Sequence, residues 1–101
     1  MTVLAALLSK EESRNEKMIT EYNRELEALP KGSIKAKTVK DNVYYYLTYR
    51  NGDKVVTKYV GKDEEILKVL QEQLARRKQI EEILKKLKEE RLQIKKLEAI
   101  L

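Results

Sequence analysis

Val43-Tyr44-Tyr45-Tyr46-Leu47-Thr48-Tyr49-Arg50, followed at once by Asn51-Gly52, constrains this chain more than any other stretch. It holds four of the six tyrosines. Aromatic and β-branched side chains suit a pleated, half-buried surface, so it reads as a strand. Asn-Gly is the dipeptide that most readily takes the positive φ angles of a tight hairpin turn. Lys54-Val55-Val56-Thr57-Lys58-Tyr59-Val60 reads as the returning strand, closed by Gly61. Upstream, Ser33-Ile34-Lys35-Ala36-Lys37-Thr38-Val39 alternates as a strand does, and Lys40-Asp41-Asn42 supplies turn chemistry. Three strands joined by two short turns make a β-meander over residues 33–60.

A three-stranded sheet is not stable alone, and the flanking segments supply helices to cover it. In the first arm, residues 1–29, Ile19, Tyr22, Leu26 and Leu29 recur on one helical face. The same register continued backwards meets Asn15, Glu12, Leu8 and Ala5, so the stripe turns polar in its middle. The helix is therefore expected to be secure from about residue 13, with Thr2 or Ser9 as N-cap. Pro30 and Gly32 end it. After Asp63, an N-cap with Glu64 and Glu65 behind it, no glycine or proline interrupts the chain to Leu101. Ile66, Gln73, Ile80, Leu87, Ile94 and Leu101 repeat every seven residues, and Val69, Leu70, Ile83, Leu84 and Leu97 widen the stripe. Arg77 and Arg91 interrupt it. Such heptads predict a coiled-coil helix over 63–101.

The expected fold is α+β and a single domain: helix, three-stranded antiparallel meander, long helix, the helices pairing as an antiparallel coiled-coil hairpin. The second helix should outrun the first by about ten residues, leaving Leu92, Ile94, Leu97, Ile100 and Leu101 without an intrachain partner. A homodimer through the arms follows, with Ile80, Leu84, Leu87, Ile94, Leu97 and Leu101 as the oligomerisation stripe.

With Asp41-Asn42 and Asn51-Gly52 as the turns, one sheet face carries Ile34, Ala36, Val43, Tyr45, Leu47, Tyr49, Val56 and Val60. The other carries Lys35, Lys37, Tyr44, Tyr46, Thr48, Arg50, Thr57 and Tyr59. The first is a core face. The second is basic, hydroxylated and aromatic.

Charge singles out the same segment. Residues 1–30 carry four basic and six acidic side chains, residues 31–61 seven and two, residues 62–101 eleven and nine. A local basic excess points to a polyanionic partner. Lys35, Lys37, Arg50 and Lys58 are the candidate phosphate contacts, although this register sets Lys58 with the core face. Tyr44, Tyr46, Thr48 and Thr57 would meet bases or sugars, by entry of the sheet into a major groove or by stacking of the tyrosines, Tyr59 included, on unpaired bases. The competing interpretation is structural: sheet tyrosines are good cross-strand partners, and lysines blunt sheet edges.

Catalysis has no support. The chain has no cysteine and no histidine, which removes disulfides, zinc fingers and thiol or imidazole chemistry. The three glycines are isolated, with no phosphate-cradling loop. Glu81-Glu82 and Glu89-Glu90 read as helix-surface partners of lysines. No cofactor, metal or small-molecule substrate is expected. The apolar run Val3–Leu8 is too short for a membrane span, so a cytoplasmic protein is expected, and the Lys- and Glu-rich composition fits a thermophilic source.

Leu29-Pro30-Lys31-Gly32-Ser33, then Tyr44-Tyr45-Tyr46-Leu47-Thr48-Tyr49-Arg50-Asn51-Gly52-Asp53-Lys54-Val55, then Lys58-Tyr59-Val60-Gly61-Lys62 resembles a family of small uncharacterised bacterial and archaeal proteins. These carry LPKGS, YYYL-x-YR-x-G-x-KV and YVGK between helices. The resemblance spans residues 29 to about 62 and implies the fold without an activity. The same run is more weakly similar to segments at the start of some insertion-sequence transposases. The three-stranded plan is also similar to the arm-type DNA-binding domains of integrases, an analogy of fold alone. The expected function is non-enzymatic binding of nucleic acid, double-stranded DNA favoured. The alternative is a coiled-coil interaction module, accessory or antitoxin-like, with a purely structural sheet.

Overall fold

A computed structural model describes residues 2–101. The elements follow as α1 (Val3–Ala28), β1 (Ser33–Val39), β2 (Asn42–Asn51), β3 (Lys54–Gly61) and α2 (Glu64–Ile100). This is the expected α+β order. The chain forms two compact units, residues 29–78 and residues 2–28 with 79–101. Helix α2 contributes its first fifteen residues to the former and the rest to the latter. No helix among the described residues is long and apolar enough to cross a membrane.

In the unit of residues 29–78, the strands lie in the order β1-β2-β3, both neighbouring pairs antiparallel. Each turn sits one residue from its expected place, which shifts the strand pairing by two. Lys40 and Asp41 take φ of 49° and 67°, the pattern of a type I′ turn, so Val39 pairs with Asn42 and Ile34 with Leu47. Gly52 and Asp53 make the second turn, with positive φ at Gly52, and Asn51 pairs with Lys54. A shift of two preserves which side chains share a face, since strand side chains alternate with period two. The expected Val43–Val60 pairing is absent: Tyr46 pairs with Tyr59 and Tyr45 with Gly61, so Val60 is the extra residue of a bulge.

Leu47 is buried on the core face, and Leu67 of α2 is the other buried apolar side chain of this unit. Ile66 was expected on the helical seam, but 54% of its surface is exposed, and Gln73 is exposed too. Leu67, buried, with half-buried Leu70 and Leu74, carries the covered stripe here, one residue off the heptad line through Ile66, Gln73 and Ile80. A straight helix turns 100° per residue, so this part of α2 presents a different stripe from the part beyond residue 79. Asp63 caps α2, accepting hydrogen bonds on Oδ1 from the Glu65 and Ile66 amides (2.9 and 3.4 Å). Arg77, which breaks the heptad pattern, donates from Nη1 to the Leu29 carbonyl (3.2 Å) just past the end of α1.

In the other unit, α1 begins earlier than residue 13. Thr2 caps it, with Oγ1 accepting from the Ala5 amide at 3.1 Å. The helices run antiparallel: Asn15 meets Leu87 and Glu90, Glu16 approaches Arg91, and Glu12 lies beside Glu98. Ile80, Leu84, Leu87 and Ile94 are buried with Asn15. The C-terminal turns of α2 therefore lie beside α1, against expectation, and Ile94 is buried, whereas Leu92, Leu97, Ile100 and Leu101 are exposed as expected. The excess length of α2 lies at residues 64–78, where it belongs to the sheet unit. The polar middle of the α1 stripe is explained by Asn15, 1% exposed, whose Nδ2 donates to the Leu87 carbonyl (2.8 Å) and Glu90 Oε1 (3.3 Å).

Candidate nucleic-acid interface

The candidate interface is the sheet face opposite Leu47. Pairing arranges it in rows across the strands. Lys37 lies beside Tyr44, Lys35 beside Tyr46 and Tyr46 beside Tyr59. Ser33 lies beside Thr48, Thr48 beside Thr57, and Arg50 beside Val55. Lys35, Lys37, Arg50 and Thr57 are exposed, while Tyr44, Tyr46 and Thr48 are half-buried. Strands lie about 4.8 Å apart, so the three backbones span about 10 Å, close to the width of a DNA major groove.

The tyrosines pack on one another. Tyr46 and Tyr59, directly opposed, place ring centroids 5.4 Å apart at 58°. The diagonal pair Tyr44 and Tyr59 lies at 6.3 Å and 42°. Tilted contacts of this kind suit the ring quadrupole and stabilise the hairpin by about 0.5–1.5 kcal/mol each. Tyr59 nevertheless remains 61% exposed. At the other end of the face Thr48 Oγ1 and Thr57 Oγ1 lie 3.5 Å apart as a hydroxyl pair.

Lys58 does not belong to this face. Its strand position is opposite Leu47, and its Nζ lies 5.5 Å from the centroid of Tyr49, on the core side. Together with Leu47, Val60, Ile66, Val69 and Leu70 it lines an open groove of about 590 Å³. Side-chain alternation decides this, and its assignment as a phosphate contact is corrected accordingly.

Lys62 was missed. Just past β3, its Nζ lies 5.0 Å over the Tyr44 ring and donates to Asn42 Oδ1 (3.3 Å), so a held cation stands at the tyrosine end. The signal was the Gly61-Lys62 pair: Gly61 has φ of 107°, and the chain direction that follows is set by a backbone angle that sequence periodicity does not carry.

Of the oligomerisation stripe, Ile80, Leu84, Leu87 and Ile94 are buried within the chain itself, whereas Leu97 and Leu101 are 50% and 59% exposed. Leu4, Leu7 and Leu92 are also exposed.

A family model described as a domain of unknown function (DUF6788) matches residues 8–69. The match takes in most of α1, the whole sheet and the start of α2, and so reaches beyond the LPKGS-to-YVGK segment. No curated protein and no solved structure matches the chain.

Proposed function

Because the chain belongs to the DUF6788 family, a domain of unknown function, we propose from its own residues that it is a non-enzymatic nucleic-acid-binding protein, with double-stranded DNA as the favoured ligand. The observation that carries this reading is the two-sidedness of the sheet. One face holds Leu47, and the other presents Lys35, Lys37 and Arg50 to solvent beside tyrosines and threonines. Residues 29–78 carry twelve basic and six acidic side chains, so a polyanion meets a favourable field there. Lys35, Lys37 and Arg50 contact phosphates, Lys62 adds a fourth cation, and Thr48 and Thr57 offer hydroxyls to base edges or sugars. The similarity of the YYYL-to-YVG run to the start of some insertion-sequence transposases is consistent with this reading.

The test is a fluorescence-anisotropy titration of labelled duplex at low and physiological salt, beside a Lys35→Ala/Lys37→Ala/Arg50→Ala variant. Each lost phosphate contact lowers the slope of log K against log salt by about 0.9, so the triple variant should lose between two and three units of slope. Absence of duplex binding at low salt rejects the proposal.

A second reading draws on the helical unit. Leu4, Leu7, Leu92 and Leu97 stand exposed on α1 and α2, and chains meeting through them would make a homo-oligomeric interaction module. It predicts concentration-dependent association, independent of the sheet cations.

A further inference from the structure

Resting on the nucleic-acid reading, we propose that the tyrosine end of the sheet face stacks an unpaired base. The ligand is then DNA in which a single-stranded stretch adjoins the paired one. The face is not uniform along β2. At one end Ser33, Thr48 and Thr57 form a row of short hydroxylated side chains across all three strands, with Arg50 next to it. Short side chains let the edge of a duplex approach the sheet. Two residues along β2, about 7 Å away, the surface changes to the Tyr44–Tyr46–Tyr59 cluster.

The chemistry of the two ends differs in what it needs from a base. A paired base inside a duplex shows a groove only its edge, which hydroxyls and guanidinium groups read by hydrogen bonding. An aromatic ring gains most from the face of a base, and only a base out of the stack offers its face. Tyr59 is the side chain that asks for this. It already touches two rings, yet 61% of it remains in water, although large aromatic side chains are usually well covered. Cross-strand packing accounts for the Tyr46–Tyr59 contact and leaves that open area unexplained.

The charges at this end also fit a nucleotide rather than a bare ring. Lys62 is held over the Tyr44 ring and tied to Asn42, and Lys37 stands opposite Tyr44 on the neighbouring strand. A base stacked on Tyr59 therefore has cations nearby for the phosphates that flank it.

The test compares three labelled oligonucleotides on the whole chain: a blunt duplex, the same duplex with a short oligothymidine tail, and oligothymidine alone. Wild type is set beside Tyr59→Ala, Tyr59→Phe and Lys62→Ala. The tail should tighten binding by about 5- to 150-fold over the blunt duplex, the range of one stacked base. Tyr59→Ala should remove that gain and leave the blunt affinity in place, Tyr59→Phe should keep it, and Lys62→Ala should reduce it. Circular dichroism checks that each variant is folded. Equal affinity for tailed and blunt duplex overturns the inference while the duplex-binding function stands. A tail preference that survives Tyr59→Ala, or a Tyr59→Ala loss equal on both duplexes, overturns it as well. If none of the three oligonucleotides binds, the nucleic-acid function itself fails.

Discussion

Gly32 has φ of 117° and lies against β2, where a methyl group would overlap the Thr48 carbonyl oxygen and press on Tyr49 Cβ. Backbone cannot move aside as a flexible side chain can. Gly32→Ala should therefore destabilise the fold by at least about 2 kcal/mol, measured by urea denaturation. Asn15 makes the opposite case. Its Nδ2 is satisfied, but among the described residues its buried Oδ1 accepts no hydrogen bond. Asn15→Leu removes that unpaired acceptor, and the Leu87 carbonyl retains its place in the helical ladder. Stability should rise by about 1–2 kcal/mol in the same assay, and what the asparagine supplies is alignment of the two helices. Lys58 is a third residue whose meaning depends on its side of a strand. Lys35→Ala should weaken duplex binding severalfold and reduce its salt dependence, while Lys58→Ala should leave both nearly unchanged. The residue types of the site were legible in the sequence. Lys62 was not, because it enters through the positive φ of Gly61 rather than through alternation.

At the scale of elements, the turn between β1 and β2 is built from Lys40 and Asp41, both at positive φ, a conformation that aspartate tolerates and lysine does not favour. Lys40→Asn with Asp41→Gly supplies the residues a type I′ turn prefers and should raise stability by about 0.5–1 kcal/mol without moving the register. In the paired helices, Glu98 meets Glu12. The hydrogen bond to Glu12, then loss of solvent, then the charge of Glu12 hold the Glu98 carboxyl above its ordinary range, with Lys95 opposing. A raised acid pKa means that the folded state binds the proton more tightly than the unfolded chain. The stabilisation is thus complete at pH below the ordinary carboxylate range and is lost as pH rises through the raised value. Thermal melts should show the midpoint of wild type falling across that window, and Glu98→Gln should flatten the dependence. Element boundaries, both helices and the meander followed from propensity, capping and breaker residues. The exact turns did not. Asp41-Asn42 and Lys40-Asp41 have nearly the same local chemistry, and only the pairing of Ile34 with Leu47 separates them.

For the molecule as a whole, the division into two units assigns the charge. Residues 29–78 hold the basic excess, and the remaining residues carry ten basic and eleven acidic side chains, so the proposed polyanion binding and the helix pairing fall on separate parts of the chain. If the exposed leucines of the helical unit bring chains together, Leu97→Glu should shift sedimentation equilibrium towards monomer while leaving DNA affinity per chain unchanged. What the sequence determined by itself is whatever depends on neighbours a few residues apart: the strand run, the cap at Asp63, the break at Pro30, and the parity that places Lys35, Lys37 and Arg50 on one face. That parity survived a two-residue register shift because side chains alternate strictly along a strand. The tertiary structure decided whatever depends on which surfaces meet. It buried Leu67 in place of Ile66, laid the C-terminal turns of α2 beside α1, and set Lys62 over Tyr44. One helix can offer several apolar stripes, and the partner that covers a stripe is chosen by long-range packing, which no local repeat encodes.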